Sequence, residues 1–293
     1  MTTTSPSPAL PRRAGRTCHN AVNPLHSVLY FSPDLLRESA AIGLDSFAPA
    51  YLAFRAAPLG AVGAGVVTST FNSFKHDLVA RHVPAVWETA SPAAALAARL
   101  RAVDATLRRV LGDDVVTSPE MAEAAGLALR AAEACDRTGR PLYSAHADLP
   151  VPEEPHLALW HAATLLREHR GDGHIALLLH AELSPVESVV THSASGRGMR
   201  PEWAMRIRGW TAEDWSEAEA RLRDRGLLDA AGELTPEGAE LRKTLEEETD
   251  RLDHAPYEHL GAAGVERLTE LASAWRDRAL SGGAFPADLF GKG

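Results

Sequence analysis

The densest chemistry in this chain lies between Arg167 and His174, where REHRGDGH sets two arginines, two histidines, a glutamate and an aspartate side by side. The run follows an apolar stretch, LALWHAATLL, and its two glycines permit a tight turn or the close approach of a ligand. His161 and Glu168 are seven residues apart and share a helical face, so an imidazole and a carboxylate converge there with His174. General acid–base catalysis uses that pairing. A second titratable group comprises His19, His26, Lys75 and His76. The chain has three lysines against 27 arginines, which makes Lys75 its least typical residue. Beside Phe71 and Phe74, partial burial would lower the Lys75 pKa and favour Schiff-base or general-base chemistry. The candidate catalytic residues are therefore His26, Lys75, Glu168 and His174. The candidate ligand-binding residues are Phe71, Phe74 and Trp160 as apolar walls, with Arg170 and Asp172 as polar groups, Arg170 holding an anionic substrate group. Structural roles compete with each: a buried salt-bridge network for Glu168, Arg170 and Asp172, an exposed helix end for Lys75, a satisfied core histidine for His26.

Other chemistries have no signature here. HExxH, a Cys/His finger and the deaminase pattern are all absent, so the sequence offers no metal site. GxSxG and GxxxxGK[ST] are absent too, and the spacing of Gly60, Gly63 and Gly65 is not that of the dinucleotide fingerprint. No cofactor is named by any motif. The chemistry left open is cofactor-light: proton transfer, dehydration, cyclisation or hydrolysis.

Positioning such groups requires a core, and 293 residues with 45% hydrophobic content are enough to bury one. Aromatic residues make up only 6% while Ala, Leu and Arg abound, the composition of a helical protein. The formal charge of −9 opposes non-specific affinity for nucleic acid or an anionic membrane. No run of 18 apolar residues occurs, which excludes a membrane span by this measure, and mean hydropathy is −0.16. Cys18 and Cys135 stand alone, as expected in a reducing cytosol. Arg12-Arg13 is followed by no apolar h-region, so residues 1–15 read as a frayed tail rather than an export signal.

The punctuation throughout is helical. Ser91-Pro92 opens an amphipathic run that stops at Gly112, and the same cap-then-proline grammar recurs at Ser32, Ser118, Ser184 and Thr235, with Glu187 completing a capping box. The small-residue stretch from Tyr51 to Val83 predicts two closely packed buried helices broken at Pro58-Leu59-Gly60. Ordered matches between the halves, Trp87 on Trp210 and Pro119 on Pro236 among them, point to an internal duplication. The expected organisation is a tail at 1–15, an N-terminal helical unit at 16–150, a C-terminal unit at 151–280 and a tail at 281–293, with the proline-rich segment HADLPVPEEP as the boundary. The expected fold is mainly α: two tandem degenerate winged-helix-like units with at most a short β-hairpin wing. A ligand pocket is expected between the halves.

In the second half, a helix opens at Thr211 with Trp215, Ala218 and Leu222 on one face, followed by RGLL, a short turn and LTPEG opening a long helix. This pattern resembles that of the MarR-like winged helix-turn-helix regulators over about residues 157–280. The whole chain is similar to a bacterial helix-turn-helix family described as SalK-like, several of whose members are encoded beside specialised-metabolite pathways. The residues that carry this likeness include Pro24, Tyr30, RAAPLG from Arg55, Trp87, GRPL from Gly139, LREHRGDGH from Leu166, and RGW from Arg208. The family pattern has an acidic residue where this chain has Asn23 and a His-Pro pair where it has Lys75-His76. The resemblance implies a fold that binds small ligands. The N-terminal half of the expected recognition helix carries Glu213, Asp214 and Glu217 and no base, which opposes phosphate, while Arg197, Arg200, Arg206 and Arg208 cluster upstream. The expectation is thus a cytoplasmic small-molecule-binding protein, an enzyme of specialised metabolism that has lost DNA binding. The alternative is a MarR-like ligand-responsive regulator. A small molecule is the expected partner, DNA and membrane are not, and a homodimer is allowed.

Overall fold

The computed structural model describes residues 10–289. Most of the expected N-terminal tail and the last four residues of the expected C-terminal tail lie outside the described residues. Sixteen α-helices occur among the described residues. The first eight are α1 (Ala14–Ser27), α2 (Pro33–Ala40), α3 (Phe47–Ala56), α4 (Ala64–Phe71), α5 (His76–Ala80), α6 (Val86–Thr89), α7 (Pro92–Leu111) and α8 (Asp113–Val116). There follow α9 (Pro119–Ala132), α10 (Pro141–Ala147), α11 (Pro155–His180), α12 (Pro185–Ala194), α13 (Pro201–Arg208), α14 (Ala212–Asp224), α15 (Pro236–Leu252) and α16 (His254–Ser281). The fold is mainly α. Among the described residues the only β pairing is an isolated antiparallel bridge between Leu228 and Leu234.

The cap grammar forms as its chemistry dictates. Ser91 Oγ accepts from Ala94 N at 3.2 Å and Ser118 Oγ from Met121 N at 3.2 Å, each satisfying an amide that the helix leaves unpaired. At α12 the capping box closes in both directions, Glu187 Oε2 accepting from Ser184 N at 2.8 Å. The segment after Tyr51 is helical on both sides of its proline: α3 passes through a 3₁₀ turn at Ala57–Leu59, Gly60 takes φ 82°, and α4 follows at 91° to the preceding helix. Among the described residues no single helix is long and apolar enough to cross a membrane, although this bent pair passes by length and composition.

The helices group into two compact units, each assembled from separate stretches of chain. Unit one comprises residues 1–35, 100–173 and 250–284. There α16 packs against both α1 and α9. Its most enclosed element is the first half of α11, buried on every face from His156 to Leu166, as suits a helix that is apolar all round. The chain of α16 bends at Gly261, whose φ of 77° is open to glycine without strain.

Unit two comprises residues 36–99, 174–249 and 285–293. Its core joins Leu183, just before α12, and Val186 and Val190 of α12 to Trp215, Ala218 and Leu222 of α14 and Leu245 of α15. The three α14 residues are those whose spacing marks the apolar face, and they are 7%, 0% and 0% exposed. Between α14 and α15 the chain turns through Asp229, whose Oδ1 accepts from Ala231 N and Glu233 N at 2.8 and 2.9 Å. Gly238 sits so close to this turn that a Cβ there would run into the Leu227 carbonyl.

Candidate functional site

Of the residues singled out from sequence, His26, Trp160, Glu168, Arg170 and Asp172 fall in unit one, and Phe71, Phe74, Lys75 and His174 in unit two. His26 is 1% exposed and its ring stacks on Trp160 with centroids 5.1 Å apart. Thr164 gives its hydroxyl hydrogen to the Trp160 carbonyl at 2.8 Å, so it accepts from His26 Nδ1, also at 2.8 Å. Nε2 lies 3.3 Å from the Tyr30 hydroxyl. An imidazole with both nitrogens engaged is the arrangement of a core histidine.

The charged run is a network. Glu168 Oε1 pairs with Arg167 Nη1 at 2.8 Å, and Arg170 Nη1 with Asp250 at 3.0 Å. Asp172 is committed to the backbone: its Oδ2 accepts from Leu142 N at 3.0 Å and Tyr143 N at 2.9 Å, capping the start of α10. The residue between them, His169, was not among the candidates. It is 1% exposed, and its Nδ1 lies 2.8 Å from Asp253 Oδ1. Burial pushes the Asp253 carboxyl up, against the pull of His169, Arg170 and Arg140. His169 Nε2, Asp253 Oδ2 and the Tyr257 hydroxyl are all buried without a hydrogen-bond partner. The sequence signal for His169 is its place on the apolar stripe of Ala158, Ala162 and Leu165, where a polar residue must find a partner. The same cost of burial sends His19 down to about 3, reinforced by Arg170 and Arg167, and Cys18 up to about 11.

In unit two the aromatic residues meet one another and arginine. Phe71 and Phe74 have centroids 6.0 Å apart, Arg55 lies 4.3 Å above Phe71, and Arg208 lies 4.3 Å above Phe74. His174 Nδ1 is 2.8 Å from Thr249 Oγ1. Lys75 reverses expectation. Its Nζ bridges both oxygens of Asp214 at 2.9 and 2.6 Å, and this partner raises its pKa instead of burial lowering it. A lysine so held stays protonated and is a poor nucleophile.

Lys75 also fixes a segment of chain against α14. Its amide donates to the Arg208 carbonyl at 2.9 Å, and Trp210 Nε1 donates to Ser73 O at 2.9 Å. Gly209, at φ 78°, ends α13 so near Leu78 that a Cβ would sit 2.7 Å from that side chain. Asp214 meanwhile forms a capping box with Thr211, and burial, which raises its carboxyl, is outweighed by Lys75 and the Thr211 groups, so its pKa is lowered. The face of α14 left exposed carries Glu213, Ser216, Glu217, Ala220, Arg221 and Asp224. Upstream, Arg206 stacks 4.0 Å over Trp203 rather than pairing with Glu202, while Arg197 is exposed.

Among the described residues no group of three or more His, Cys, Asp or Glu side chains is arranged to hold a metal ion, and both cysteines are free thiols. None of the curated proteins and none of the solved structures matches this chain. A helix-turn-helix family does, across residues 15–286, which takes in both compact units nearly whole. The helix, glycine turn and capped helix of 201–224 are thus one part of a longer shared pattern, and the chain belongs to that helix-turn-helix family.

Proposed function

We propose that this helix-turn-helix protein binds a small molecule, and acts on it as an enzyme without a nucleotide cofactor, on a scaffold that no longer reads DNA. The observation that carries the reading is the state of α14. Its exposed face bears Glu213, Glu217 and Asp224 against a single arginine, Arg221, and the lysine nearest its N-terminus is spent on Asp214. Phosphate binding at a helix N-terminus relies on amides and basic side chains, and here carboxylates stand in that place. The antiparallel bridge at Leu228 and Leu234 and the LTPEG start of α15 support a winged-helix reading of α12 to α15, with the likeness to MarR-like and SalK-like proteins that the sequence suggests.

A ligand-responsive regulator is the second reading, favoured by family membership itself. One pair of measurements separates the two. The full chain is titrated at physiological salt into a labelled duplex carrying the region upstream of its own coding sequence, beside a scrambled duplex of equal length. The same preparation, purified under mild conditions, is examined by native mass spectrometry. We expect weak binding without preference between duplexes and a small molecule retained on the protein. Nanomolar, sequence-dependent binding overturns the reading in favour of the regulator.

A further inference from the structure

In unit two the charges of the helix-turn-helix segment are sorted by helix and left without partners across it. Arg197 lies in the loop after α12, Arg200 at the head of α13 and Arg206 within α13. None of the three has an anionic partner among the described residues, in a chain whose formal charge is −9. Asp288, which reaches α13, accepts from Trp203 Nε1 at 3.1 Å instead. On the exposed face of α14 the signs are reversed. Asp224 has no cation beside it among the described residues, and Glu217 has only a long ion pair, 3.7 Å to Arg221 Nη1. Arg221, the one cation on that face, is drawn to Glu187 at 3.0 Å.

The two stripes also share a register. Arg200, Trp203 and Arg206 follow one another at intervals of three, so they stand in a row, and Arg206 stacks 4.0 Å over the Trp203 ring. Glu217, Ala220 and Asp224 are spaced three and four apart and are all exposed on α14. Each row is charge, apolar, charge. At a rise of ~1.5 Å per residue the arginines are about 9 Å apart along α13 and the carboxylates about 10 Å apart along α14. An indole between two guanidinium groups thus matches an alanine between two carboxylates.

We propose that α13 and α14 are a self-association surface, on which the arginine row of one copy of this chain lies against the acidic row of a second copy. Both rows belong to the same unit, so a two-fold axis lets the pairing form twice, α13 on α14 and α14 on α13. The surface that a helix-turn-helix presents to DNA is then turned to a second copy. Charge sets the partner and the register, and salt weakens the contact.

Charge reversal in the full-length protein tests it, read by sedimentation equilibrium at low and at high ionic strength. The wild type is expected to dimerise at low salt and to dissociate as salt rises. Arg206→Glu and Glu217→Arg should each weaken self-association by about tenfold, since either change sets like charges together at both contacts. Mixed in equal amounts, the two variants should associate again, because the heterodimer pairs opposite charges at both contacts. Both side chains are exposed, and the melting temperature of each variant checks its fold. Arg206→Gln and Glu217→Gln remove charge without reversing it and should weaken the dimer by a smaller factor, which keeps the test in force if a reversal unfolds the protein. A wild type that stays monomeric at low salt, a dimer indifferent to these changes, or a mixture that fails to associate each overturns the surface. So does salt-dependent duplex binding that Arg206→Glu abolishes, which would assign the arginines to phosphate. The readout is mass alone, so a ligand retained on a monomer leaves the small-molecule reading standing, and a dimer without a ligand leaves this one.

Discussion

Replacing Asp172 by alanine separates a brace from a binding group. Its Oδ2 takes both the Leu142 and the Tyr143 amide, at 3.0 and 2.9 Å, in a site where the residue is 5% exposed. Hydrogen bonds to a charged group contribute roughly 1.5–3 kcal/mol each, so losing two costs about 3–6 kcal/mol, a large share of the ~5–15 kcal/mol that holds a domain together. The amides at the start of α10 would be left without their acceptor, which adds to the penalty. Asp172→Asn is the sharper probe. Its amide oxygen can occupy the Oδ2 position and accept from both amides, and since neutral bonds are roughly half as strong as charged ones, about half the loss should return. The assay is the urea midpoint of all three proteins, together with hydrogen exchange at Leu142 and Tyr143. If the alanine variant unfolds at the wild-type midpoint with those two amides still protected, the carboxylate is not the cap and the reasoning fails.

Two further outcomes follow from single contacts. Gly238→Ala should lower the urea midpoint by ~1–3 kcal/mol of stability, because its Cβ would meet the Leu227 carbonyl, a backbone atom that cannot swing aside; a midpoint within experimental error of wild type would refute the packing of that turn. His192, pushed from 6.5 down to about 4 by burial and then by Arg242, whose Nη2 lies 3.0 Å from its Nδ1, binds a proton more readily in the unfolded chain than in the folded one. Its stability contribution is therefore complete above about pH 6.5 and is lost as pH falls toward 4, at up to about 1.4 kcal/mol per pH unit, so urea midpoints measured across that window should fall less steeply in His192→Gln.

Much of this fold is local and was legible for that reason. A serine or threonine before a proline fixes a helix start through one side chain and one amide a few residues on, so the starts of α2, α7, α9, α12 and α15 stand where the caps place them. The apolar face of α14 follows from helical spacing alone, as does its acidic outer face. The break between α3 and α4 is announced by Pro58 and Gly60. Less legible was the division into compact units, since each is assembled from stretches far apart in the chain.

The site was legible only as a list of ingredients. Lys75 looked like a depressed amine because its neighbours in sequence are apolar, yet its charge is decided by Asp214, whose carboxylate arrives from a different helix. His26 looked reactive beside Tyr30, yet Thr164 engages one of its ring nitrogens and Tyr30 the other. His169 was passed over within the very run that contains it, because nothing near it in sequence shows that Asp253 closes on one side of its ring and Asp136 faces the other. A helix face is set by residues three and four apart, but the protonation and availability of a buried group are set by whichever charge the tertiary fold brings to it, and that charge is written elsewhere in the chain. For the same reason the acidic face of α14 is the firmer ground for function here. It depends on helical spacing and exposure alone, and no partner from a distant segment is needed to make Glu213 and Glu217 repel phosphate.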